Sequence, residues 1–142
     1  MARQYWLIKS EPNTYGYEKL VQQGRTVWDG VRNFEARNNL RAMKEGDLAL
    51  FYHSTVGKEV IGVARVVREA YADPSAEGED WSVVEVAPAF ALRKPVSLET
   101  MKKDAALEGL QLITRSRLSV VPVSAVHFER ILALGQTQVP RS

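Results

Sequence analysis

The chain contains no cysteine. Disulfide scaffolds, thiolate nucleophiles and cysteine-based zinc sites are therefore excluded. Histidine is nearly as scarce: His53 and His127 are the only two. A metal site would have to be built largely from carboxylates, and no metal is expected. No lysine-containing phosphate loop and no dinucleotide glycine pattern occurs, and Gly30 and Gly46 are isolated turn glycines, so no cofactor is expected either. No apolar run approaches the roughly 20 residues that span a bilayer. Met1-Ala2-Arg3-Gln4 leads into a strand-like run rather than the apolar stretch of a signal peptide. The expectation is a cytoplasmic protein with no membrane association. Repeats, low-complexity tracts and internal linkers are absent too.

What is present suits one folded unit. The 142 residues are 45% hydrophobic and 25% charged, enough to close a core without covalent staples. The net charge of +2 says little, but its distribution says more. From Glu69 to Leu92 every charged residue is acidic: Glu69, Asp73, Glu77, Glu79, Asp80 and Glu85. The basic excess lies in Arg32, Arg37, Arg41 and Lys44, and again from Arg93 to Arg117. Such separation fits a protein that presents one face to a polyanion, and it also fits an ordinary mixed surface.

Local patterns place the elements. Tyr5–Lys9 is rich in strand formers and ends at the turn signal Ser10-Glu11-Pro12-Asn13. Tyr17–Gln23 reads as a short helix stopped by Gly24, and Thr26–Trp28 as a short extended piece before Asp29-Gly30. Asn33 is placed to cap a helix reaching about Lys44, with Ala36, Leu40 and Met43 on its core face and Asn33, Arg37 and Arg41 on another. Leu48–His53 reads as a buried strand, Gly57-Lys58 as a hairpin turn, and Val60–Ala70 as a strand in which Gly62 marks a bulge or a close backbone approach. After a polar acidic loop at Ala72–Asp80, Trp81–Phe90 is again strand-like. Pro95–Lys102 fits a capped helix, and Leu107–Thr114 is ambiguous between helix and coil. Leu118–Val123 reads as an edge strand because Pro122 has no N–H, and Ser124–Leu134 as a closing helix with Val126, Ile131 and Leu134 in the core. Gln136–Ser142 is expected to fray. Strands and helices do not alternate regularly, so the class is α+β: a curved or closed sheet of five or six strands with three to five short helices.

The most informative segment is Trp28–Asn38, which crowds a tryptophan, arginines and asparagines around a turn and a helix start. An aromatic face beside amides and guanidinium groups is suited to a flat, hydrogen-bonding ligand such as a nucleobase. Trp28 is the candidate stacking surface, and Trp6 is either a second wall or a core residue. Trp81 reads as structural. At the end of the first strand, Ser10 offers a hydroxyl to a base edge, and Glu11 can accept from an exocyclic amine. Asn33, Arg37 and Asn38 can read polar edges or hold phosphate, or can serve as a helix cap and surface charges. His53 and Ser54 are neighbours on a strand and point to opposite faces, which argues against a catalytic pair and leaves them as hydrogen-bonding groups. Arg117 and Ser119 share one side of an alternating segment.

Together, Tyr5–Pro12, Trp28–Asn33, Ala36-Arg37-Asn38, Phe51–Ser54 and Ser116–Val120 resemble the EVE domain, in the expected order, from about Tyr5 to Leu134. The resemblance implies a PUA-like pseudo-barrel related to the YTH modified-RNA readers, with one domain over residues 1–136 and a tail over 137–142. The short acidic loop at Asp73–Asp80 makes this a compact member. The resemblance further implies recognition of a modified base, with modified cytosine in DNA foremost.

The expected function is a non-catalytic, monomeric module that binds a modified base in DNA or RNA. Trp6, Ser10, Glu11, Trp28, Asn33, Tyr52, His53, Ser54 and Ser119 would surround the base, and Lys9, Arg32, Arg37 and Arg117 would hold phosphates. Two alternatives stay open: an enzyme acting on modified nucleic acid with Glu11 or Asp29 as base or metal ligand, and a module for a free nucleoside-like molecule.

Overall fold

The computed structural model describes residues 3–74, 76 and 81–140. Six strands form one sheet: β1 (Tyr5–Ser10), β2 (Thr26–Trp28), β3 (Leu48–His53), β4 (Glu59–Ala72), β5 (Ser82–Ser97) and β6 (Val120–Val123). Their order across the sheet is β2-β5-β4-β3-β1-β6. The ladder does not close, so β2 and β6 are the edges. Among the described residues only β1 and β3 run parallel, with Leu7 opposite Leu50. The helices are α1 (Pro12–Tyr15), α2 (Tyr17–Gln23), α3 (Phe34–Ala42), α4 (Leu98–Lys102), α5 (Gln111–Thr114) and α6 (Ala125–Leu134), with a 3-10 turn at Ala105–Leu107. This is the expected α+β architecture, with an open hydrogen-bonded sheet and more helical pieces than the sequence suggests.

Both faces of the sheet are covered along β1 and β3. Along β1, Leu7 enters one core with Leu50, Val63, Met101, Phe128 and Ile131. Trp6 and Ile8 enter the other with Phe51, Ala64, Leu20, Leu40 and Met43. Two-sided burial explains why β1 and β3 read as nearly continuous apolar runs rather than alternating ones. It also explains α3, whose Ala36 and Leu40 are fully buried while its outward face carries charge. The α3 cap forms as expected: Asn33 adopts extended backbone and its Oδ1 accepts the Ala36 N–H at 3.0 Å.

Gly62 resolves the choice between bulge and close approach in favour of both. The β3–β4 and β4–β5 registers shift beside it. A Cβ built there would lie 2.6 Å from the Tyr17 ring. Tyr17 at the start of α2 thus lies flat on the glycine and donates its hydroxyl to the Val63 carbonyl at 3.0 Å. Burial pushes its phenol pKa up to about 12.

Several boundaries differ from expectation. Pro12 is the first residue of α1 rather than part of a simple turn, a position where its missing N–H costs nothing. β5 continues through Pro95 to Ser97, and the helix starts only at Leu98. Pairing jumps from Gly62–Ala91 to Val60–Val96, so Pro95 sits in a bulged stretch where no ladder N–H is demanded. Val126 is 72% exposed because it lies on the outer side of the first turn of α6, and Phe128 and Leu132 fill the core instead. The C-terminal segment is anchored at Thr137, whose N–H reaches Leu132 O and whose Oγ1 accepts the Arg93 N–H. Of the expected acidic loop, Ser75 and residues 77–80 lie outside the described residues.

Gly62→Ala is expected to cost about 1–3 kcal/mol in denaturant unfolding, because the new methyl overlaps a buried ring that cannot withdraw. Combining it with Tyr17→Leu should recover part of that loss relative to the sum of the single changes.

Candidate functional site

An open cleft of about 1200 Å³ lies where the end of β1, α1, β2 and the Asp29–Asn33 turn converge. Trp28 forms its aromatic wall. The indole is half-buried and braced edge-on by Tyr15, 6.1 Å between ring centroids, and by Phe51, 5.5 Å. Phe51 in turn meets Tyr17 edge-on at 5.3 Å. The rotamer of Trp28 is therefore fixed by aromatic neighbours on two elements, while part of the ring stays open to the cleft.

Polar groups surround this wall. Ser10 lies at the end of β1 and donates its hydroxyl to Tyr15 O at 2.5 Å. That bond ties β1 to α1 and leaves the serine oxygen as an acceptor. Lys9 reaches across to donate to Ser116 O at 2.8 Å, and burial lowers the pKa of its ammonium. Ser119 borders the same side, its carbonyl accepting the Lys9 N–H. Glu11 and Asp29 are exposed at the rim.

The turn after Trp28 is organised from beneath by Asp73, whose side chain is fully buried. Its Oδ2 accepts the Gly30 N–H at 3.2 Å and Arg32 Nη1 at 3.0 Å, and the same Nη1 also donates to Val31 O. Gly30 has φ +78°, a left-handed conformation in which a side chain would be strained. Arg32 remains partly exposed, its guanidinium 5.6 Å from the Trp81 ring centre. On the opposite flank, Glu85 gathers Tyr71 Oη at 2.6 Å, Arg25 Nε at 2.7 Å and Arg68 Nη1 at 3.1 Å.

Among the residues singled out from the sequence, Lys9, Ser10, Glu11, Trp28, Arg32, Asn33 and Ser119 line this cleft. The others lie elsewhere, each for a definite reason. Trp6 is only 4% exposed and spends its indole N–H on Asp47 Oδ2 at 3.0 Å, so it is a core residue and not a pocket wall. Tyr52 is buried on the opposite face of β3 from Phe51, in the other core. His53 accepts the Tyr17 N–H through Nε2 at 3.1 Å, and burial holds its pKa below the usual imidazole value despite the opposing charge of Glu59. It is a neutral structural acceptor. Ser54 continues the β1–β3 pairing through its N–H to Ser10 O and does not border the cleft. Arg37 lies over the Phe34 ring at 4.9 Å and donates to Asn38 Oδ1. Arg117 is in the turn before β6, which begins only at Val120, so strand alternation does not align it with Ser119.

Tyr15, Arg25, Thr26 and Glu85 were not signalled as site residues, yet they line the cleft. A lone carboxylate within the apolar run Val83–Val86 was the available clue to Glu85. Nothing in the sequence marked Tyr15 or Arg25. Among the described residues no group of three or more His, Asp or Glu side chains is arranged to hold a metal ion.

Glu85 gives the site a pH signature. Hydrogen bonds from Tyr71 and Arg25, and then Arg68, draw its pKa from the ordinary 4.5 down to about 2. Its folded-state pKa lies below the unfolded one, so the stabilisation is complete above about pH 4.5 and is lost as pH falls toward 2. Glu85→Gln should flatten this part of an acid-unfolding profile, read by circular dichroism, and leave the profile near neutrality parallel to wild type.

Comparison with known proteins places this geometry in a family. A family profile described as "EVE domain" matches residues 4–134. Mouse thymocyte nuclear protein 1 is 36% identical in an alignment covering 94% of this chain and 74% of its own. A solved structure from Agrobacterium tumefaciens superposes with a TM-score of 0.93 at 39% identity, covering 96% of each chain. The human THYN1 protein, solved in complex with 5-methylcytosine-containing DNA, superposes at TM-score 0.86 and 32% identity over 95% of this chain and 99% of that one. At 16% identity and TM-score 0.58, the YTH domain of a Zygosaccharomyces rouxii protein shares the fold over 96% of this chain and 90% of its own. By this match over nearly its whole length, the chain belongs to the EVE domain family.

Proposed function

We propose that the cleft binds a base within nucleic acid, favours a base carrying a small modification, and performs no chemistry on it. The observation that carries the reading is Trp28: a braced indole that exposes part of its ring to an open cleft edged by hydrogen-bonding groups. A base drawn out of its stack needs an aromatic surface in exchange and polar groups for its edge. Ser10, Glu11, Asn33 and Ser119 are the side chains within this cleft suited to the second task. The Asn33 Oδ1 is engaged in capping α3, so its contribution to a ligand would come from the amide nitrogen.

The human relative bound to 5-methylcytosine DNA supports modified cytosine in DNA as the ligand. Cleft size supports a nucleic-acid segment over a free nucleoside. About 1200 Å³ exceeds the roughly 300–1000 Å³ of most small-molecule pockets. Preference for an added methyl group would come from apolar fit and be worth roughly 1–3 kcal/mol, enough to favour the modified base without excluding the plain one. The Ser10 hydroxyl is committed to a backbone carbonyl, which argues against its use as a nucleophile.

Trp28→Ala is expected to weaken binding of an oligonucleotide containing 5-methylcytosine by roughly 1–3 kcal/mol, measured by fluorescence anisotropy of the labelled oligonucleotide. Unchanged affinity in a variant with wild-type circular dichroism would remove stacking from the mechanism.

A further inference from the structure

The strand register assembles a charged device beside the cleft. Val27 on β2 and Arg68 on β4 both stand opposite Glu85 on β5, so the three residues form a row across the solvent face of these strands. Arg25 precedes β2 by one residue and reaches the same carboxylate through its Nε at 2.7 Å. Glu85 is mostly covered, 12% exposed, while the side chains of Arg25 and Arg68 are 53% and 56% exposed. One carboxylate oxygen takes Arg25 Nε, and the other takes Arg68 Nη1 together with the Tyr71 hydroxyl. Arg68 also lies over the Tyr71 ring, 3.9 Å from its centre. Both guanidinium groups are therefore held in place, one by the carboxylate and one by carboxylate and ring. Among the described residues, the Nη1 and Nη2 groups of Arg25 and the Nε and Nη2 groups of Arg68 have no protein acceptor.

We propose that Arg25 and Arg68, aligned by Glu85 and Tyr71, form a clamp for the phosphodiester backbone of the strand whose base enters the Trp28 cleft. This rests on the reading of the cleft as a nucleic-acid site. Two arginines and one carboxylate leave a net charge of +1 at this spot. Ordering by the carboxylate lowers the rotamer entropy that a free surface arginine would lose on binding. The remaining N–H groups keep the planar fork that suits phosphate oxygens. Arg25 and Glu85 line the cleft itself, and Arg25 is three residues of chain, about 10 Å when extended, from Trp28. A contact here would be indifferent to base identity: phosphate contacts position the strand, and the cleft selects the base.

The test is binding of two fluorescein-labelled oligonucleotides, identical except for one 5-methylcytosine in place of cytosine, across a salt series. Wild type, Arg25→Gln, Arg68→Gln, Arg25→Lys and Trp28→Ala are compared, with thermal unfolding of each recorded in parallel. The clamp predicts that Arg25→Gln and Arg68→Gln each weaken both oligonucleotides equally and reduce the slope of log affinity against log salt by roughly 0.7–0.9. Arg25→Lys should keep the wild-type slope. The ratio between methylated and plain oligonucleotide should stay at the wild-type value in the arginine variants and change in Trp28→Ala. Wild-type slopes in both glutamine variants, alongside a Trp28-sensitive wild type, would overturn the clamp and leave the base cleft standing. A lowered melting temperature with unchanged slopes would mean the arginines serve stability alone, and overturns it equally. Absence of binding by wild type to either oligonucleotide would overturn the clamp and the cleft reading together.

Discussion

The missing side chain at Gly62 is the constraint on which the cleft-bearing half of the molecule depends. Because β4 has no Cβ there, the Tyr17 ring can lie against the strand and reach the Val63 carbonyl. That contact sets the distance of α2 from the sheet. The Tyr17 N–H then meets His53 at the end of β3, and the Tyr17 ring meets Phe51 edge-on. Phe51 supports Trp28, and Tyr15, two residues before Tyr17, supports it from the other side. The aromatic wall of the cleft is thus the last member of a packed series that begins with an absent methyl group. Close-packed interiors transmit such displacements rather than absorb them.

Three well-covered carboxylates tie distant segments together, two of them beside the cleft. Asp47 is 3% exposed and collects the Gln4 N–H, the Trp6 indole and the Lys44 N–H, joining the start of β1 to the loop after α3. Asp73 collects the Gly30 N–H and Arg32 and shapes the turn after Trp28. Glu85 gathers two arginines and a tyrosine on the opposite flank. A buried carboxylate without donors would be costly, so each fixes the position of the groups that satisfy it. Asp73 and Glu85 thereby hold polar groups of the cleft, Gly30 and Arg32 on one side and Arg25 on the other, by charge-assisted bonds.

The two buried faces of the sheet have distinct roles. The core with Leu7, Phe128 and Ile131 is closed by α4, α5 and α6 and by the anchored segment at Thr137, and it serves to hold the sheet. The core with Trp6, Phe51 and Leu40 is covered by α2 and α3 and opens at the Trp28 end into the cleft. Placing the cleft at the edge strand β2 frees one side of Trp28 from further packing, whereas Trp6, on a strand paired on both sides, is enclosed.

Local signals sufficed for much of this architecture. The alternation and apolar runs of β1, β3 and β4, the cap at Asn33, the helix stop at Gly24, the edge position of the Pro122 strand and the special role of Gly62 were all determined by the sequence itself, because each depends on nearby residues or on the stereochemistry of one residue. The motif Trp28–Asn33 likewise pointed to the cleft, since its aromatic, turn and amide groups are contiguous. Tertiary structure alone decided which aromatic residues face the cleft. Trp6 and Trp28 are the same residue type in similar strands, and only the distant Asp47 and the position of each strand in the sheet separate a buried indole from an open one. Arg25 and Arg68 are far apart in the chain and become a pair only because antiparallel pairing brings both to Glu85. Such contacts depend on strand order and register, which no local run of residues encodes.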